Sequence, residues 1–282
     1  MSPKDPPEKA TPDHRADFAA PPAEIDPVAL ARRDLAKSLP KRFYQAATAA
    51  PVEDGFALLL DGRPARTPAR NKLVLPTRAA AEAVAREWDA QRDLIDPAAM
   101  PLTRIVNSAI DGVAREMEAT AAEVARYGAS DLVCYRAPGP DALVRAESAL
   151  WDPVLVFARE QLGARLLCAE GVTFVEQPEP ARRALLEAAR AAGRAQAGGA
   201  FALAALHVMT SLTGSALLAF AVARGALSPQ EAWAAAHVDE DYEMRLWGED
   251  DEALAARARR WREMEAAALL TTALAPDPAD PA

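Results

Sequence analysis

Between Arg194 and Arg224 the chain carries no Asp, Glu, Lys or Arg. An uncharged run of this length has to be hidden from water, and about 20 apolar residues are enough to cross a bilayer. Two structures satisfy it: a membrane span, or a helix buried on all sides inside a helical domain. A polar cluster in the middle of the run (His207, Thr210, Ser211, Thr213 and Ser215) argues for the buried helix. So do flanks that lack an aromatic belt or a clear run of positive charge. One long apolar helix ending before Gly225 is therefore expected, with an inner-membrane protein using residues 195–223 as the alternative.

A buried central helix needs a chain able to cover it. With 282 residues, one or two domains are expected at roughly 100–200 residues each. Hydrophobic residues make up 51% but aromatics only 6%, because the apolar content leans on alanine. Alanine forms helices best and lets them approach closely. The net charge of −9 makes nucleic acid a poor partner, since that binding relies on Lys and Arg displacing counterions. Cys134 and Cys168 stand alone in apolar surroundings and read as two free, buried thiols of a reducing compartment, with a single disulfide as the other option. The opening MSPKDPPEKATPDH has no basic start and no apolar run, so nothing marks export and the cytoplasm is the default location. Residues 1–37, rich in Pro and mixed charge, read as a mobile tail, and residues 276–282 as a second short one.

Periodicity divides the rest into an α+β arrangement: a small β-rich N-terminal domain over residues 38–98 with one helix, then a larger all-helical domain over residues 99–275. Phe56 to Leu60 is strand-like, and Asp61-Gly62 directly after it signals a tight hairpin. The return strand, about Arg63 to Thr67, contains Pro64 and so belongs at an edge, and Lys72 to Leu75 gives another short strand. Thr77 starts a helix to about Asp93 with Ala81, Val84, Trp88 and Gln91 on one face. Pro101 opens the next, and Met117 to Tyr127 follows, ending at Gly128. Further helices are expected over Asp141 to Leu150, from a new cap at Asp152-Pro153 to Gly163, and over Pro180 to Ala192. Ser228-Pro229-Gln230-Glu231 is a capping box, and the last helix begins near Asp250.

No catalytic, cofactor or metal set emerges. The 13 glycines form neither G-x-G-x-x-G nor a Walker loop, and His14, His207 and His237 have no ligand spacing. Ser215 follows Thr213-Gly214 but lacks the second glycine of a nucleophile elbow, which leaves it as a helix-packing serine.

One stretch does stand out, His237 to Glu243 followed by Trp247-Gly248-Glu249-Asp250. On a continuous helix Val238, Tyr242 and Leu246 make a core stripe. Trp233, Glu240 and Trp247 make a second one, with Glu240 about 160° from Val238. Three readings are open: a solvated acidic face, an acid and base pair of Asp239 and Glu240, or a recognition face with aromatic anchors around a charge. Adjacent helical residues diverge by about 100°, which weakens the enzymatic reading.

Several stretches, in order, resemble one family, the assembly chaperones of the ATP synthase catalytic head that attend its α subunit. They begin with Lys41-Arg42-Phe43-Tyr44, Leu60-Asp61-Gly62-Arg63-Pro64, Thr67-Pro68 and Leu75-Pro76-Thr77. Glu87-Trp88-Asp89-Ala90-Gln91, Met100-Pro101-Leu102-Thr103, and Tyr127 with Ser130-Asp131-Leu132 come next. Cys134-Tyr135-Arg136, Trp151-Asp152-Pro153, Thr213-Gly214-Ser215, and Asp239-Glu240 with Trp247-Gly248 complete the series. The resemblance implies a holder of the free α subunit that needs no nucleotide or other cofactor of its own. It places the family's functional acidic residue on Glu240, within a partner-binding set of Asp239, Glu240, Glu243, Trp233 and Trp247. It makes Trp88, Asp61, Gly62 and Trp151 structural motif residues, with Trp88 as a core residue clamping helix to sheet. Glu243 and Glu147 depart from it, standing where glutamine is usual. A small-molecule enzyme remains the alternative.

Overall fold

The computed structural model describes residues 39–171, 173–194 and 198–275. The expected tails lie outside the described residues. The architecture is α+β, a small strand-bearing N-terminal region followed by a mostly helical one.

Strand β1 (Ala47–Val52) pairs antiparallel with β2 (Gly55–Leu60), in register from Ala47 opposite Leu60 to Val52 opposite Gly55. β2 then turns into β3 (Arg63–Pro64) and also pairs with β4 (Val74–Leu75). The turn is the one the sequence announces: Asp61 (φ 48°) and Gly62 (φ 75°) both take left-handed backbone, the geometry of a two-residue type I′ hairpin. The Asp61 carboxylate also accepts from the backbone N–H groups of Gln45 and Ala46, which holds its pKa below the usual carboxylate range. The return strand is shorter than expected, with only an isolated bridge from Arg66 to Lys72 beyond Pro64.

Helix α1 (Arg78–Asp89), N-capped by Thr77, lies on this sheet with Ala81 and Val84 buried. The Tyr44 hydroxyl donates to the Trp88 carbonyl at 2.6 Å, and the two rings sit 5.7 Å apart, so half-buried Trp88 joins helix to sheet. Helix α2 (Pro101–Asp111) has proline at its first position and no side-chain cap of its own. Glu87 of α1 supplies one: its carboxylate accepts from Leu102 N at 2.8 Å, Thr103 N at 2.7 Å and the Thr103 hydroxyl at 2.7 Å. Helix N-termini hold free N–H groups that favour such an anion. Asp111 accepts from the Thr67 hydroxyl, Ala69 N and Asn71 Nδ2, and the Thr77 hydroxyl donates to Ala273 O at 2.6 Å. These ties fasten the sheet region to the helices, and the described residues from Pro40 on belong to one compact unit sharing one core.

The rest is helical: α3 (Met117–Gly128), α4 (Asp141–Phe157), α5 (Glu179–Gly193), α6 (Gly199–Thr213), α7 (Ala216–Ala223), α8 (Pro229–Ala236), α9 (Val238–Trp247) and α10 (Asp251–Ala273). A short parallel pair, β5 (Tyr135–Arg136) with β6 (Ala169–Glu170), lies beside them. The capping box at Ser228 and Glu231 forms as read, and Asp250 caps α10.

Three helical expectations need correction. The uncharged segment is two helices, broken at Gly214 (φ 67°), where Ser215 caps α7 by accepting from Leu218 N. Among the described residues no helix is long and apolar enough to cross a membrane. Both pieces are central to the core, with Leu203, Leu206, Met209, Leu217 and Leu218 buried. Conversely, α4 does not stop before Asp152 but runs through Pro153. A proline inside a helix costs about 3 kcal/mol. Here Trp151 and Val154 on either side of it are both buried, and Trp151 Nε1 donates to Ala235 O at 2.7 Å, which outweighs that cost. The chain from Trp233 to Trp247 is not one helix either, because His237 (φ −121°, ψ 20°) separates α8 from α9. The two cysteines are unpaired, and Cys134 is buried as expected, but Cys168 is exposed.

Candidate functional site

Helix α9 follows α8 after a break at the single residue His237. His237 is buried, its Nδ1–H donates to Trp233 O at 2.7 Å, and its ring lies 4.0 Å from that of Trp233. Burial lowers the His237 pKa, so the ring is neutral at pH 7. Trp233 is itself buried, 5.5 Å from the ring of Trp261 on α10. The break at His237 thus removes the expected stripe of Trp233, Glu240 and Trp247, and Trp233 props the helix from beneath.

The acids of α9 divide by environment. Asp239 is half-buried and lies against Glu147 of α4, a fully buried side chain whose carboxylate accepts from Ala137 N at 3.0 and 3.2 Å. Burial pushes the Glu147 pKa up, and the neighbouring Asp239 adds to it. Asp239 therefore faces α4, with one carboxylate oxygen buried and without a hydrogen-bond partner, rather than projecting as a free surface charge. Asp241 pairs with Arg257 of α10. Glu240 and Glu243 are exposed and have no ion pair among the described residues. Tyr242 is half-buried, while Leu246 is 59% exposed and so is not part of the core stripe expected of it. Trp247, at 86% exposed, ends the helix before Gly248 (φ 94°).

Beside α9 runs an open groove of about 530 Å³. Ala146 and Leu150 of α4, Ala234 of α8, and Val238 and Met244 of α9 give it apolar walls, with Asp241, Arg245 and Glu249 at its edge. From Asp239 to Glu252 the chain has eight acidic residues against one arginine, and two of the acids, Asp241 and Glu249, line the groove itself. The arrangement suits an apolar segment bearing Lys or Arg at its margins. The sequence pattern missed the groove because its wall on α4 lies almost 100 residues away. The Ala146 and Leu150 spacing is the only local signal.

A second motif cluster is buried. Asp131, wholly inaccessible, accepts from Leu217 N at 3.0 Å and Val133 N at 3.3 Å and bonds the Ser215 side chain. Leu132 N donates to Gly214 O at 3.3 Å, and the Thr213 hydroxyl donates to Met209 O at 2.8 Å. Burial raises the Asp131 pKa to about 6 despite these bonds. Thr213-Gly214-Ser215 is therefore a structural joint, and Ser215 is occupied as a cap. Among the described residues no three His, Cys, Asp or Glu side chains cluster as metal ligands would.

The model of the family described as ATP12 chaperone protein matches residues 41–159. A protein of Agrobacterium tumefaciens of known crystal structure is 47% identical, with 89% of this chain and 92% of that one covered and a TM-score of 0.79. Atp12 from Paracoccus denitrificans is 40% identical, with 83% of this chain and 98% of that one covered and a TM-score of 0.75. A point mutant of the same Paracoccus protein gives 39% identity and a TM-score of 0.76.

Proposed function

The chain belongs to the ATP12 chaperone family, and from that membership we propose that it holds the free α subunit of ATP synthase until the catalytic head assembles. A subunit whose interfaces are unfilled exposes apolar surface and is prone to aggregate. A holder must cover that surface and then yield to the final partner, which calls for a moderate interface that combines apolar contact with exposed charge.

The observation that carries the reading is the exposed acidic helix α9 beside its apolar groove. Trp247 and Leu246 present exposed apolar surface on the same helix as exposed Glu240 and Glu243, and Leu150 is partly exposed in the groove beside it. Large aromatic side chains beside unpaired charge are typical anchors of protein interfaces. In this reading Glu240 and Glu243 meet Lys or Arg of the client, Trp247 anchors it, and Asp239 and Trp233 hold the helix in position. The protein acts in the bacterial cytoplasm, and the chemistry of nucleotide hydrolysis belongs to the client.

The test is co-purification with newly made α subunit, in parallel with the β subunit and an unrelated aggregation-prone protein. Selective capture of α, lost in Glu240→Lys with unchanged thermal unfolding, is the expected result. Equal capture of all three clients would replace the reading with a general holdase, and capture of none would remove it.

A further inference from the structure

The two cysteines, 34 positions apart in the chain, flank the start of the small parallel sheet. β5 and β6 pair with Tyr135 opposite Ala169 and Arg136 opposite Glu170, so Cys134, the last residue of the 3-10 turn Leu132–Cys134, and Cys168 are the residues that immediately precede the two paired strands. A disulfide spans roughly 4.4–6.8 Å between Cα atoms, a reach that suits two residues flanking the first pair of a ladder whose strands lie about 4.8 Å apart. The Cys168 thiol is near enough to the Cys134 thiol to contribute to the upward shift of the Cys134 pKa. Their environments differ: Cys134 is fully buried and Cys168 is exposed.

We propose that Cys134 and Cys168 form a reversible intramolecular disulfide that clips the segment after α4 to the body of the protein. The exposed thiolate of Cys168 attacks a small-molecule disulfide such as oxidised glutathione, forming a mixed disulfide and releasing one glutathione thiolate. Cys134 then attacks the Cys168 sulfur and expels the second glutathione, which leaves with the Cys134 proton. Two protein thiols are oxidised and one glutathione disulfide is reduced to two thiols, so atoms and electrons balance. Burial raises the pKa of Cys134 and keeps it a protonated, poor nucleophile, which makes closure the slower step and favours it at alkaline pH. The exposed half of the bond leaves it open to reduction by the reverse exchange.

The clip would act on a surface worth restraining. The segment carries exposed Leu167 and Phe174, and its fold onto the body rests on the two-residue β5–β6 ladder, a Gly171 N–H to Arg136 O bond of 2.8 Å, and Gln177 bonding both backbone groups of Leu167. The inference is independent of the client's identity.

The test uses the reduced full-length chain, incubated with oxidised glutathione at mildly alkaline pH. Free thiols are then blocked with a maleimide and the intact mass is read. The expected product is a monomer lighter by two hydrogens, carrying no maleimide and restored by reduced glutathione. Cys168→Ser, at an exposed position that packing tolerates, should keep its Cys134 thiol reduced throughout, and Cys134→Ala should stop at the mixed disulfide on Cys168. A wild-type protein that stops at one glutathione adduct, cross-links into dimers, or keeps both thiols would overturn the proposal.

Discussion

Two carboxylate-bearing regions meet water in opposite ways. Asp131, at the Thr213-Gly214-Ser215 corner, is sealed in the core, and its oxygens are used by Leu217 N, Val133 N and Ser215. On α9, Glu240 and Glu243 are exposed beside a tryptophan left almost bare. A buried acid must spend its lone pairs on its own chain, because burial without partners costs several kcal/mol. An exposed acid keeps them for something else. The first region makes the fold; the second is free to recognise.

That contrast is sharpest at Trp151 and Trp247. Trp151→Ala removes a fully buried ring that carries α4 past Pro153 and loses its bond to Ala235. The expected loss is about 3–5 kcal/mol in denaturant unfolding. A loss under about 1 kcal/mol would show that Pro153 is tolerated for another reason.

Asp131→Asn tests the buried acid by pH. The folded pKa of Asp131 is raised from 3.8 to about 6, so the folded state holds the proton more tightly than the unfolded chain. Its contribution to stability is therefore fully present below about pH 4 and is lost as pH rises through about 6. The asparagine variant does not titrate. The stability of wild type relative to the variant should thus fall between these pH values, by on the order of 1–3 kcal/mol. A difference that stays flat across the window would mean that Asp131 is not held as the bonding pattern implies.

Gly214→Ala probes the corner with less force. An added Cβ meets nothing within 4 Å, so the penalty comes only from left-handed backbone at φ 67°. About 1–2 kcal/mol is expected. No change would show that the two helices can rejoin into one.

At the exposed end, Trp247→Ala and Glu240→Lys should each move stability by less than about 0.5 kcal/mol. Client capture should nevertheless fall, with Trp247→Ala costing on the order of 2 kcal/mol of binding. A large drop in unfolding temperature for either variant would erase the distinction between the two regions.

Local chemistry wrote much of this fold into the sequence. The Asp61-Gly62 hairpin, Thr77 and Ser228 at helix starts and Pro101 at the first position of a helix depend on a few neighbouring residues, and each forms as read. Fold class was legible for the same reason, and the ordered motifs carried the family. What the sequence could not decide were choices between local rules and distant partners. Pro153 should stop a helix, yet burial of Trp151 against Ala235 carries α4 through. The uncharged run should be one helix, yet Asp131 and Leu132, more than 80 residues earlier, stabilise the corner at Gly214. His237 breaks α8 from α9 because its ring finds a buried place against Trp233. Exposure was decided in the same way: Trp233 and Trp247 are the same residue type, and packing against His237 and Trp261 buries the first while the second stays at the surface. Propensity acts over one turn of chain, whereas burial and hydrogen-bond satisfaction are settled across the whole core.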